Sequence, residues 1–145
     1  MPVSAASIAE NRAARLPSLL IADDDADLRE LLAIQLAKHF AVVAVAANAD
    51  EAIALGAQHQ PDVALVDMQM PGGGGISATR ELHRRSPATA IVALSGDESD
   101  AMVREVIASG AITYLRKGIP RAELALALLD AIGAHSRLQL HQQTG

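Results

Sequence analysis

Val63-Ala64-Leu65-Val66-Asp67-Met68-Gln69-Met70-Pro71, followed by glycines 72–75, is the stretch whose reading decides the fold. Four apolar residues rich in valine read as a short buried strand, and a carboxylate appears where the run stops, just before a Pro/Gly loop. Asp67 therefore belongs at a strand's carboxyl end. In an open α/β sheet that edge is where ligands bind, because the loops leaving the strands form a crevice there. An aspartate that merely starts a turn carries the same local signature, so partners elsewhere in the chain have to decide.

Outward from this stretch the same rhythm recurs. Upstream, Leu19-Leu20-Ile21-Ala22 reads as a buried strand ending in Asp23-Asp24-Asp25, and Leu28, Leu31, Leu32, Gln35 and Leu36 then carry helical spacing. Asp25 or Asp27 is placed to stabilise that helix at its N-terminus. Residues 40–46 form a second β-branched run, and Asn48 opens a helix through Ala52, Ile53 and Leu55. Downstream, residues 76–85 read as a helix, and residues 89–94 as a fourth strand ending in Ser95-Gly96. Met102, Val103, Val106 and Ile107 share one face of the next helix, which Gly110 closes. Residues 112–115 are the fifth strand, ending in Arg116-Lys117-Gly118. Pro120 then precedes a last helix marked by Leu124, Leu128, Leu129 and Ile132. Five strands alternating with helices imply a doubly wound parallel sheet with right-handed crossovers. Past Gly133 the helical pattern fails, because Leu138 and Leu140 stand two apart, so residues 134–145 read as a tail or the start of an interdomain linker. Residues 1–17 are Ala-rich and read as an N-terminal extension, in which Ser7 and Glu10 have capping-box spacing and Pro17 would end a short helix.

Composition narrows the class. A chain of 145 residues, half of them apolar, can build one domain with a sizeable core. Phe40 and Tyr114 are its only aromatic residues, so the core is aliphatic and the tyrosine conspicuous. The absence of cysteine excludes disulfides and thiolate metal sites and suits a cytoplasmic protein. A net charge of −5 with scattered Lys and Arg argues against direct nucleic-acid binding. No apolar run approaches the roughly 20 residues of a membrane span.

The predicted strand ends gather the partners that Asp67 needs. Asp23 and Asp24 end the first strand, Asp67 the third, Ser95 the fourth, and Lys117 follows the fifth. Carboxylates brought together repel unless a cation or a raised pKa relieves them. A site of oxygen ligands alone suits a hard ion, and Mg²⁺ fits best because it keeps waters and favours phosphate oxygens. An aspartate beside such an ion can attack phosphorus and form an acyl phosphate, with Lys117 and the Ser95 hydroxyl holding the other phosphoryl oxygens and small Gly96 leaving room. The five histidines read as solvated surface residues rather than ligands.

On these residues the sequence resembles the receiver domain of bacterial two-component response regulators, over residues 18–133. The resemblance implies a flavodoxin-like fold with strand order 2-1-3-4-5. Asp23 and Asp24 match the family's acidic pair, Asp67 the phosphoacceptor, Ser95 the hydroxyl residue, Lys117 the lysine, Tyr114 the aromatic switch position and Gly75 the turn glycine. It further implies that the Gln69 backbone carbonyl binds Mg²⁺, that a histidine kinase donates the phosphoryl group, and that Ser95 and Tyr114 relay the change. The face formed by the fourth helix, fifth strand and fifth helix would then be reshaped for a partner or for a second copy in a homodimer. The chain is expected to be a regulatory domain that assists its own phosphorylation and dephosphorylation, not a turnover enzyme. Gly118 departs from the family, since proline often follows the lysine; Gly-Ile-Pro-Arg-Ala-Glu-Leu looks like the variant in regulators with a helix-turn-helix output domain. A stand-alone receiver and the receiver part of a transcriptional regulator both fit. Two other readings use the same residues: a phosphate-independent interaction module, and a small Mg²⁺-dependent phosphohydrolase. The second usually needs an acid/base carboxylate two residues beyond the nucleophile, where Gln69 stands.

Overall fold

Five short aliphatic runs form one parallel sheet. The computed structural model describes residues 16–71, 74–96 and 99–144. In chain order the elements are β1 (Ser18–Ala22), α1 (Ala26–Leu36), β2 (Ala41–Ala46), α2 (Ala49–His59), β3 (Val63–Asp67), α3 (Gly74–Arg85), β4 (Ala90–Ser95), α4 (Asp100–Ala108), β5 (Thr113–Arg116) and α5 (Arg121–Thr144). The strands lie in the order β2-β1-β3-β4-β5, all parallel, as expected for a flavodoxin-like fold. Every residue of the central β3 and of β4 is buried, which is why their sequences run continuously apolar instead of alternating.

Strand alternation divides the core in two. Leu20, Ala22, Ala64 and Val66 face a cluster built with α2, α3 and α4, to which Ala52, Leu82 and Val106 contribute. Leu19, Ile21, Val63 and Leu65 face α1 and α5, against Leu32, Leu36, Phe40, Leu124 and Leu128. Helix positions follow from local chemistry. Asp25 caps α1 by accepting from the backbone N–H groups of Asp27 and Leu28, and Asn48 caps α2 by accepting from Glu51. Ser99 caps α4, whose other end is a Schellman turn: Ala111 N–H donates to the Val106 carbonyl and Gly110 N–H to that of Ile107, with Gly110 at φ +121°.

Three expectations change. Helix α3 begins at Gly74, two residues before the apolar periodicity starts. Helix α5 does not end near Gly133 but runs to Thr144, through residues read as a tail. His135, read as a surface residue, is only 9% exposed and its Nε2 bonds the Pro87 carbonyl at 2.8 Å, where Gln139 Nε2 also donates. The proposed short N-terminal helix lies outside the described residues apart from its last ones. The Pro17 carbonyl accepts from Ala41 N–H at 2.9 Å, just before β1.

Candidate functional site at the carboxyl edge of the sheet

Because all strands are parallel, the residues that end them share one edge. Asp67 closes β3 and is 1% exposed. One of its oxygens, Oδ1, accepts from the Gln69 backbone N–H at 3.0 Å and lies 3.1 Å from Lys117 Nζ. The other, Oδ2, is buried with no hydrogen-bond partner among the described residues. Asp23, equally buried, repeats the pattern: Oδ1 accepts from Asp25 N–H at 2.9 Å and Oδ2 has no partner among the described residues. Its neighbour Asp24 is exposed, and one carboxylate oxygen each of Asp23, Asp24 and Asp67 lies within 4.8 Å of the others. Burial raises the Asp23 pKa from 3.8 to about 6, with the negative charges of Asp67 and Asp24 adding to the rise, and with the Asp25 N–H and Lys117 opposing it.

The other strand ends frame this cluster. Lys117 N–H donates to the Ser95 carbonyl at 2.9 Å, which ties the start of the β5–α5 loop to the end of β4. Lys117 Nζ bridges Asp67 and the side-chain carbonyl of Gln69, 3.0 Å away. Sequence reading assigned only the backbone of Gln69, because contact between side chains 48 positions apart has no local signal. Arg29 was likewise missed; its Nη1 donates to the Asp23 carbonyl at 2.7 Å. Gly118, at φ +92°, adopts a conformation closed to the proline often found there. Gly75 has a steric reason to be glycine, since an added Cβ would meet Met68 Cα at 2.5 Å and the Asp67 carbonyl at 2.6 Å. At Gly96 an added Cβ would meet only the Gln69 side-chain amide, at ordinary contact distance.

Ser95 is fully buried. Tyr114 pairs with Ala93 across β4 and β5, and Ser95 lies two residues beyond Ala93, so the two side chains share a face of the sheet. Tyr114 is half-buried against the cluster beneath α2, α3 and α4. A groove of about 390 Å³ opens beside Lys117 and is lined by Leu28, Leu32, Gln35, Ile119 and Pro120. Chemically the edge offers a desolvated carboxylate nucleophile, a lysine in contact with it, and oxygen ligands suited to a cation.

Comparisons with known proteins return relatives of one kind. A family model described as the response regulator receiver domain matches residues 19–129. The chain is 37% identical over 87 residues to the response regulator GacA of Pseudomonas viridiflava, covering 60% of this chain and 41% of that protein. It is 34% identical over 118 residues to the transcriptional regulatory protein DegU of Brevibacillus brevis, covering 79% of this chain and 48% of that one. The chain thus spans about half the length, or less, of these curated relatives. Among solved structures, a two-component response regulator of the LuxR family from Aurantimonas sp. superposes with a TM-score of 0.77 at 30% identity, over 82% of this chain and 86% of that one. A CheY-like receiver domain protein from Methanospirillum hungatei shares the fold, with a TM-score of 0.77 at 21% identity over 84% of this chain and 98% of its own.

Proposed function

Since the chain belongs to the response regulator receiver domain family, we propose that Asp67 accepts a phosphoryl group from a histidine kinase and that the resulting acyl phosphate switches an interaction surface. The observation that carries this reading is the buried Asp67 carboxylate, with Lys117 at 3.1 Å and two further carboxylates beside it. An oxygen of Asp67 bonds to phosphorus as the bond from phosphorus to the donor's imidazole nitrogen breaks, and that nitrogen keeps the electron pair. Lys117, already in contact, holds a phosphoryl oxygen, and the Ser95 hydroxyl holds another. The Asp67 backbone neighbours do not compete, because only Oδ1 is engaged by Gln69 N–H.

The residues fit Mg²⁺. Two buried carboxylate oxygens without partners, in an oxygen-only set, suit a hard cation and are costly without one. Asp24, Asp67 and the Gln69 backbone carbonyl would hold it, with Asp23 acting through water. When bound, the ion supplies positive charge that offsets the charge of the transferred group. The domain is read as residues 18–133 together with the docked continuation of α5, in a cytoplasmic protein that is either a stand-alone receiver or the receiver part of a transcriptional regulator. Among the described residues no helix is long and apolar enough to cross a membrane. The phosphohydrolase reading has no support, since Gln69 is spent on Lys117 and offers no acid.

Intact-mass analysis after treatment with acetyl phosphate and Mg²⁺ tests the assignment. The wild type should gain one phosphoryl group, Asp67→Asn none with its fold intact, and Asp24→Ala should lose the Mg²⁺-dependent rise in melting temperature. A phosphoprotein peak undiminished in Asp67→Asn sinks the phosphoacceptor assignment.

A further inference from the structure

At the sheet edge opposite Asp67, the continuation of α5 encloses a cavity of about 410 Å³ together with the end of α4 and the last turn of α3. That volume is in the range of small-molecule sites. Ile107, Ile112 and Leu138 give it apolar walls, and Ile107 and Leu138 keep 45% and 50% of their surface exposed. A close approach fixes a further wall. The His83 side chain lies against Gly110, where an added Cβ would meet its Cβ and Cγ at 2.7 Å.

The two anchored polar side chains of this cavity both offer acceptors. His135 Nε2 and Gln139 Nε2 bond the same Pro87 carbonyl, at 2.8 and 2.6 Å. A carbonyl only accepts, so Nε2 of His135 carries a proton, and Nδ1 of the neutral ring is left as a bare acceptor. The Gln139 bond uses an N–H of the amide in the same way and leaves its Oε1 free to accept. Neither side chain makes another hydrogen bond with the described residues. Helix α4 ends on the same wall at Ala108, and a helix C-terminus carries partial negative charge. Among the described residues no carboxylate, lysine or arginine lines the cavity.

We propose that this cavity binds a small organic ammonium ion with an apolar body. The ammonium donates to His135 Nδ1 and Gln139 Oε1, and the body covers Ile107, Ile112 and Leu138. An anion of the same shape meets two acceptors and a helix C-terminus, and gains neither a donor nor a positive charge. A wholly apolar ligand leaves both acceptors without partners once it has displaced their water. The ligand holds the end of α4 to the continuation of α5, so it stabilises the folded chain by mass action. Binding at this edge does not depend on the chemistry of Asp67.

Titration of the 145-residue chain with tryptamine near neutral pH, followed by its backbone amide resonances, tests the proposal. Indole-3-propionate, with the same ring and a carboxylate in place of the ammonium, is the counterpart. Tryptamine should saturate with a dissociation constant of about 1 mM or tighter, and indole-3-propionate should bind at least about tenfold more weakly. The shifted amides should gather in residues 107–112 and 135–142 and spare the edge that holds Asp67. Ile107→Trp fills the cavity from an exposed position and should abolish saturable binding with an unchanged melting temperature. Gln139→Leu should weaken tryptamine by about threefold or more and leave indole-3-propionate unaffected. Shifts without saturation, equal affinity for the two probes, or an Ile107→Trp variant that binds like wild type overturns the site. Tryptamine affinity unchanged in Gln139→Leu overturns the role given to its acceptor.

Discussion

Asp23 and Asp24 are adjacent in sequence and opposite in environment. The backbone N–H of Asp23 pairs with the Ala46 carbonyl at 3.0 Å, continuing the β1–β2 ladder, so its side chain turns into the desolvated edge while that of Asp24 meets solvent. The folded state therefore keeps a proton on Asp23 up to about pH 6, where an unfolded chain has released it near 3.8. Between those values the native state binds more protons than the unfolded state, so the stability of metal-free protein falls as pH rises through the window. Thermal melts in chelator should show that decline in wild type, and a flatter profile in Asp23→Asn. An identical slope in both would assign the loss to other groups.

At the scale of elements, β4 and β5 form the unit through which the edge can act on a surface. Their register places Ser95 and Tyr114 on one face, the buried hydroxyl at the edge and the half-buried ring behind it. A ligand shifts such an arrangement only through different affinity for its two states, and a Ser95 bond to an acquired phosphoryl oxygen would supply that difference. Tyr114 is the only tyrosine, which makes its fluorescence and ring resonances a clean report. They should change on phosphorylation in wild type and stay unchanged in Ser95→Ala. An equal response in both variants would show that the hydroxyl does not couple the phosphoacceptor to the face of α4, β5 and α5.

For the whole molecule, the far end of α5 is held at the opposite edge of the sheet from Asp67, where His135 and Gln139 converge on the Pro87 carbonyl ahead of β4. His135→Ala should cost about 1–2 kcal/mol and reduce helical signal in the far ultraviolet, while phosphoryl acceptance at Asp67 stays at the wild-type level; unaltered stability would mean that this anchor contributes nothing. Strand runs, the alternation of strands with helices, most caps and the gathering of Asp23, Asp24, Asp67, Ser95 and Lys117 at one edge were legible in the sequence. Each rests on a local signal: a short apolar run, the residue that ends it, or a capping side chain before a helix. The length of α5 was not legible, because Leu138 leans toward the body and Leu140 points away, and two interleaved apolar faces erase the single-face period on which a helix is recognised. Burial of His135, the hold of Gln69 on Lys117, and the choice of Asp23 over Asp24 as the desolvated acid were decided by tertiary structure alone. Each depends on what an element distant in the chain brings alongside: the Pro87 carbonyl, the loop after β5 and the edge of β2.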